Sequence, residues 1–135
     1  MPYNSNASLR YYGGCPCKFY RGGTTTRDGA HKDVQGIPGN ESHHLTADAV
    51  SPVTKPNGPA ISMERQDHYK TGSWGRGKDA QQFRNEQKSL IDGGNPQAAQ
   101  QLGIDDVREK FGDKYNEAIE QAVEYSKTID LSGKE

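Results

Sequence analysis

Residues 42–68, "SHHLTADAVSPVTKPNGPAISMERQDH", carry three chemically loaded points in a set order. His43 and His44 stand side by side where a polar loop turns into something more regular. On a strand, adjacent side chains point to opposite faces, so the two imidazoles cannot do one job twice. The segment 42–50 reads as a short strand or a first helical turn. Pro52, Pro56 and Pro59, with Asn57-Gly58, make residues 51–60 a loop. "AISM" (60–63) then predicts a brief strand with Ile61 and Met63 on one face at period two. Asp67 and His68 follow in a short helix or turn over 65–71, and Gly72, Gly75 and Gly77 lead into a polar loop.

Downstream of this stretch, helical periodicity dominates. "KDAQQFRNEQKSLIDGG" (78–94) predicts a helix with Phe83, Gln87, Leu90 and Ile91 on one face and Gly93-Gly94 as its stop. Residues 95–103 predict a short second helix, with Asn95 as N-cap, Pro96 at the first helical position and Gly103 as the stop. Residues 104–112 predict a third behind an acidic first turn, with Gly112 after it. Residues 113–129 predict the strongest helix, whose stripe is Tyr115, Ile119, Ala122 and Val123, extended by Ser126. Upstream, "LRYYGG" and "CKFYRGG" read as a hairpin or irregular β-structure. "TTTRDGAHKDVQGIPGN" reads as a turn-rich connection in which His31 is an exposed loop histidine.

Composition narrows the classes. A chain of 135 residues suits one domain. Its hydrophobic share of 30% and its 16 glycines predict a small core with long polar connections, open to stabilisation by a metal or a partner. The net charge of −1 hides an asymmetry. Residues 1–91 carry 12 Lys and Arg against 8 Asp and Glu, whereas residues 92–135 carry 5 against 10. A basic front on an acidic support is compatible with binding phosphates, although solvated charge is the ordinary explanation. Cys15 and Cys17, the only cysteines, are too close for an easy intrachain disulfide and do not form a Cys-x-x-Cys knuckle. Two ordinary thiols are the preferred reading, with redox or metal chemistry as the other. No apolar run approaches the roughly 20 residues of a membrane span. "MPYNSNASLR" lacks a signal peptide's hydrophobic segment, so a soluble unit that leaves its cell would be carried by something else.

Two histidines on one strand, a loop, a second strand and a helix start bearing Asp67-His68 form the order that a ββα-metal nuclease requires. In that arrangement one divalent cation bridges protein ligands and the scissile phosphate, while the second histidine of the pair takes a proton from the attacking water. Neutral imidazole ligates transition metals, and its ordinary pKa of about 6.5 suits a base near neutrality. Two other readings stay open. In one, His44 and His68 form a metal-independent acid–base pair that cleaves RNA through its 2′-hydroxyl. In the other, the histidines hold a structural ion in a non-catalytic interaction module.

The segments "ESHHLTADAVSP", "NGPAISMERQDHYKTGSWGR" and "QQFRNEQKSLIDGG", with "GIDDVREKFGDKYNEAIEQAVEY" behind them, resemble the HNH/endonuclease VII superfamily toxin domains that bear a Ser-His-His signature. The resemblance spans about residues 37–127 and is carried jointly by the triplet, Gly58-Pro59-Ala60-Ile61, Met63, Asp67-His68 and the Thr71/Ser73 loop. It implies an α+β fold in a single nuclease domain: an irregular or β part (1–36), a ββα-metal (His-Me finger) core (37–94) and a helical support (95–135).

The resemblance also implies roles. His43 would be a metal ligand and His44 the general base. His68, at the start of the metal-finger helix, would be the second ligand, with Asp67 as ligand or orienting partner. The cation would be Mg, Mn, Zn or Ni. The zinc-binding cysteine tetrad usual in the family is absent, so no zinc knuckle is expected. Arg65, Lys70, Arg76, Lys78, Arg84 and Lys88 surround the proposed site in sequence. Arg84 is the candidate for meeting the extra negative charge of the transition state. Thr71 and Ser73 either donate to phosphate or satisfy their own loop, and Trp74 either stacks on a base or anchors a small core, the latter preferred. In such families the domain is the C-terminal warhead of a secreted bacterial toxin. It would act on DNA in the target-cell cytoplasm, be restrained by a cognate immunity protein and need no membrane of its own.

Overall fold

The computed structural model describes residues 28–133. The β-structure expected upstream, with Cys15 and Cys17, lies outside the described residues. Three antiparallel strands, β1 (Gly29–Ala30), β2 (Asn40–His44) and β3 (Pro59–Glu64), pair in the order β1-β3-β2. The helices are α1 (His31–Val34), α2 (Arg65–His68), α3 (Lys78–Asp92), α4 (Pro96–Phe111) and α5 (Asn116–Ser126). Single 3-10 turns occupy Asp48–Val50 and Lys55–Asn57. The fold is α+β. Among the described residues no helix is long and apolar enough to cross a membrane.

The register of the sheet sorts the side chains that matter. Glu41 pairs with Met63 and His43 with Ile61, while Ser42 pairs with Ser62 and His44 with Ala60. Cross-strand partners share a face, so Glu41 and His43 lie on the side of Ile61 and Met63. That side carries the core. Leu45, Ile61 and Met63 pack with Ile104, Val107, Tyr115, Ile119 and Ala122 in one buried cluster. The helices at 95–135 thus complete the same core as the strands. The period-two reading of Ile61 and Met63 and the stripe on α5 both hold, since Tyr115, Ile119, Ala122 and Ser126 are buried.

Two local expectations give way. Residues 24–40 are not all connection: Gly29–Ala30 adds an edge strand to β3, and His31 opens the short helix α1. The two helices expected at 95–112 are one, α4, running through Gly103. Asn95 caps its start, accepting from the Ala98 N–H at 3.3 Å, with Pro96 beside it. A glycine there is not a stop but a point of close approach. A Cβ at Gly103 would overlap the Leu45 carbonyl oxygen, so the missing side chain lets α4 pass directly over the exit of β2.

Helix propensity alone makes Gly→Ala favourable by about 1 kcal/mol inside a helix. At Gly103 the steric term reverses that sign. Gly103→Ala is expected to lose about 1–3 kcal/mol through overpacking, read as a lower midpoint in urea or thermal unfolding. A variant as stable as the parent would show that α4 does not sit this close.

Candidate functional site

Four histidines meet at one cleft of about 440 Å³, lined among others by His31, Ser42, His43, His44, Lys55, His68, Ser73, Trp74 and Arg84. Strand alternation sends His43 and His44 to opposite faces, yet β2 is an edge strand, so both faces reach the cleft. Each imidazole has its own neighbour. The His43 ring meets His68 edge-on, with centroids 5.2 Å apart. The His44 ring stacks on His31 at 4.5 Å and an interplanar angle of 25°.

Each histidine is set by its partners. His44 Nε2 lies 3.0 Å from the Lys55 carbonyl oxygen, which can only accept, so Nε2 donates and a neutral ring keeps its lone pair on Nδ1. His68 Nδ1 donates to Glu41 Oε1 at 2.6 Å, so a neutral ring in this tautomer keeps its lone pair on Nε2. Hydrogen bonding to His68 holds the Glu41 carboxyl below its usual range. Arg65 Nε donates to the other oxygen of the same carboxylate at 3.1 Å. His43 is 3% exposed. Burial first, and then the charges of His68 and His44, push its pKa down to about 3, so the ring is neutral at physiological pH. His31 is lowered as well, by burial and then by His44 and Lys55, and its Nδ1 lies 2.8 Å from Ser42 Oγ.

These features suit a cation held by His43 and His68. The His43 ring is neutral, imidazole nitrogen suits transition metals, and the carboxylate behind His68 is the partner that orients a ligating imidazole. Two imidazoles on one tetrahedral ion stand with centroids roughly 5 Å apart, given metal–nitrogen bonds of about 2 Å. Among the described residues no group of three or more His, Cys, Asp or Glu side chains is placed to hold a metal ion by itself. Water and substrate oxygens would complete such a shell.

The other anticipated residues separate into groups. Asp67 does not line the cleft; its Oδ2 accepts from Lys114 Nζ and Tyr115 OH, both at 2.7 Å, and these bonds lower its pKa. It ties α2 to the start of α5. His68 lies at the end of α2 rather than its start. Thr71 is buried, donating through Oγ1 to the His68 carbonyl at 2.8 Å. Arg84 lines the cleft, but its Nη1 donates to the Ser73 and Gly75 carbonyls at 2.7 and 2.9 Å, pinning the loop on either side of Trp74. Ser73 joins the cleft through that loop, whereas Arg65 and Arg76 lie outside its lining. Lys70 and Lys78 line a neighbouring basin. Lys88 pairs with Asp92 on the exposed side of α3.

His31, Glu41 and the Lys55 carbonyl were not legible as members. Glu41 had a signal, since it sits two residues before His43 and therefore on its face. His31 had none, because only the pairing of β1 with β3 brings α1 beside β2. A larger cavity of about 1010 Å³ lies between β1 and α5. Asp28, Asp33, Glu117, Glu120 and Glu124 line it, and five carboxylates repel phosphate. The histidine cleft is the candidate.

The neutral state of His43 is measurable. An unfolded ring takes its proton below about 6.5 and the folded ring only near 3, so this group's contribution to stability is greatest above 6.5 and falls as pH drops through that interval. In ring-nitrogen NMR, His43 is expected to stay neutral from about pH 8 to pH 4.5, and a step near 6.5 would overturn its burial. Comparisons with protein-family models, curated proteins and solved structures return no match to this chain.

Proposed function

We propose that the protein is a metal-dependent endonuclease that hydrolyses phosphodiester bonds of DNA and acts as an antibacterial toxin effector domain. The observation that carries the reading is the division of the doublet. His43 faces His68, backed by Glu41, while His44 stands in the same cleft with Nε2 bound to a backbone carbonyl. The pairing of β2 with β3, followed at once by α2, supports reading this part as a ββα-metal core.

In this mechanism His43 and His68 would hold one divalent cation, Mg, Mn, Zn or Ni, which would supply positive charge for the scissile phosphate. His44 Nδ1 accepts a proton from the attacking water, whose oxygen forms the new bond to phosphorus as the bond to the leaving oxygen breaks. The Lys55 carbonyl holds His44 in the tautomer that leaves Nδ1 free to do so. Arg84 keeps the cleft wall in place and adds its charge to the side facing the phosphate. The toxin role rests on the Ser-His-His resemblance. With it go delivery within a larger secreted protein, action in the target-cell cytoplasm and restraint by a cognate immunity protein.

Purified protein is expected to nick and linearise plasmid DNA with a divalent cation and to stop on addition of EDTA. His44→Ala should lower the rate by about 10²–10⁴-fold while cation binding survives. Glu41→Gln should weaken cation binding by about 10–100-fold, measured by calorimetry. Gly58→Ala offers an indirect check, because its Cβ would lie 2.8 Å from His44 Cδ2. That variant should fold by circular dichroism yet lose at least about tenfold in rate through displacement of the base. EDTA-resistant cleavage of RNA alone would select the His44/His68 acid–base alternative. Retained toxicity in His44→Ala would select the non-catalytic one.

A further inference from the structure

Tyr69 and Trp74 are the exposed large hydrophobic side chains among the described residues, at 41% and 47%. They touch one another, with ring centroids 4.8 Å apart and planes tilted by 43°. Trp74 is therefore not a core anchor. It lines the histidine cleft on one side and, on the other, a basin of about 420 Å³ that includes Lys70, Lys78, Asp79 and Lys110. Lys110 is paired with Asp106, so Lys70 and Lys78 supply most of the basin's available positive charge.

The loop that presents the indole is fastened at several points. Arg84 Nη1 holds the carbonyls of Ser73 and Gly75, the residues on either side of Trp74. The Gly72 N–H donates to Asp106 Oδ2 at 2.7 Å, and the Trp74 N–H to the Thr71 carbonyl at 3.2 Å. An indole left in water on a loop fixed in this way is preorganised for a flat partner, and cationic side chains flank it. A nucleobase on a polyanionic strand meets both demands. In a duplex its faces are covered by its neighbours, so an unpaired base is needed.

We infer that Trp74, backed by Tyr69, stacks an unpaired nucleobase next to the scissile phosphate, the strand continuing from the histidine cleft over the indole into the Lys70/Lys78 basin. The site thus takes single-stranded or locally unpaired nucleic acid. This rests on the endonuclease reading for its scissile phosphate, but stacking itself can be measured without cleavage.

Trp74 is the only tryptophan of the chain, so the protein's indole emission reports on it directly. The full chain carrying His44→Ala is titrated at one fixed salt concentration with an oligothymidine of about ten nucleotides, with the matching oligouridine and with a blunt duplex of the same length. Saturable quenching by a single strand but not by the duplex is expected, and the two single strands together show whether the sugar matters. By anisotropy of the labelled strand, Trp74→Leu should bind about 5- to 100-fold more weakly and Trp74→Phe should recover most of the loss. Equal quenching by the duplex, or an unchanged affinity in Trp74→Leu, overturns the proposal. So does the absence of binding to any oligonucleotide, which would leave the aromatic pair as a protein-docking surface. Cleavage by the parent protein is scored separately: quenching without cleavage under any cation sinks the nuclease reading alone, and cleavage without quenching sinks the platform alone.

Discussion

The carboxamide of Gln87 is fully buried, and it holds together three parts of the chain that share no secondary structure. Its Oε1 accepts from the Ala47 N–H at 3.0 Å, while Nε2 donates to the carbonyls of Leu45 at 3.0 Å and Ala99 at 2.9 Å. The backbone leaving β2 has no strand partner beyond Pro59, and buried peptide groups must be paired. An apolar side chain of the same length would strip the Ala47 N–H and the Leu45 carbonyl of this partner, at about 1–3 kcal/mol each. Gln87 thereby locks α3 and α4 onto the residues immediately after His43 and His44. Gly103 lets α4 come close enough for the amide to reach both sides.

A second lock orients the other half of the cleft. Helix α2 has four residues, too few to be stable by its own hydrogen bonds. Asp67 anchors it through Tyr115 and Lys114, and the Tyr115 hydroxyl also accepts from the Glu64 N–H at 3.1 Å where β3 ends. Burial and the Asp67 hydrogen bond push the Tyr115 hydroxyl up to about 12, so it stays protonated and able to donate. The residue anticipated as a ligand therefore works at one remove, fixing the short helix that carries His68. Arg84 is similar in kind, since its guanidinium shapes the loop of Trp74.

Local patterns were legible where they reported on a whole face. The periodicity of α3 and α5, the cap of Asn95-Pro96 and the alternation of Ile61 and Met63 all translate directly into observed elements. Glycines were harder to interpret, because the absence of a side chain has two meanings. At Gly93 and Gly94 it ends a helix; at Gly103 it admits a carbonyl oxygen into the space a Cβ would fill. Within the site, His43, His44 and His68 could be singled out because strand alternation and the following helix relate them. His31 could not, and Glu41 is marked along the chain only by standing two residues before His43.

From the residues alone came most of the elements and the separation of His43 from His44, because alternation and helical periodicity are properties of neighbours along a chain. Folding in three dimensions assigned the partners. The edge position of β2 lets both faces open onto one cleft, β1 brings His31 onto His44, and Glu41 reaches His68 across the gap between strand and helix. It also withdrew Asp67 from the cleft and exposed Trp74 at its lip. A linear pattern states which face a side chain occupies. Only packing between distant elements states what that face meets, since burial, tautomer and charge depend on atoms far away in sequence.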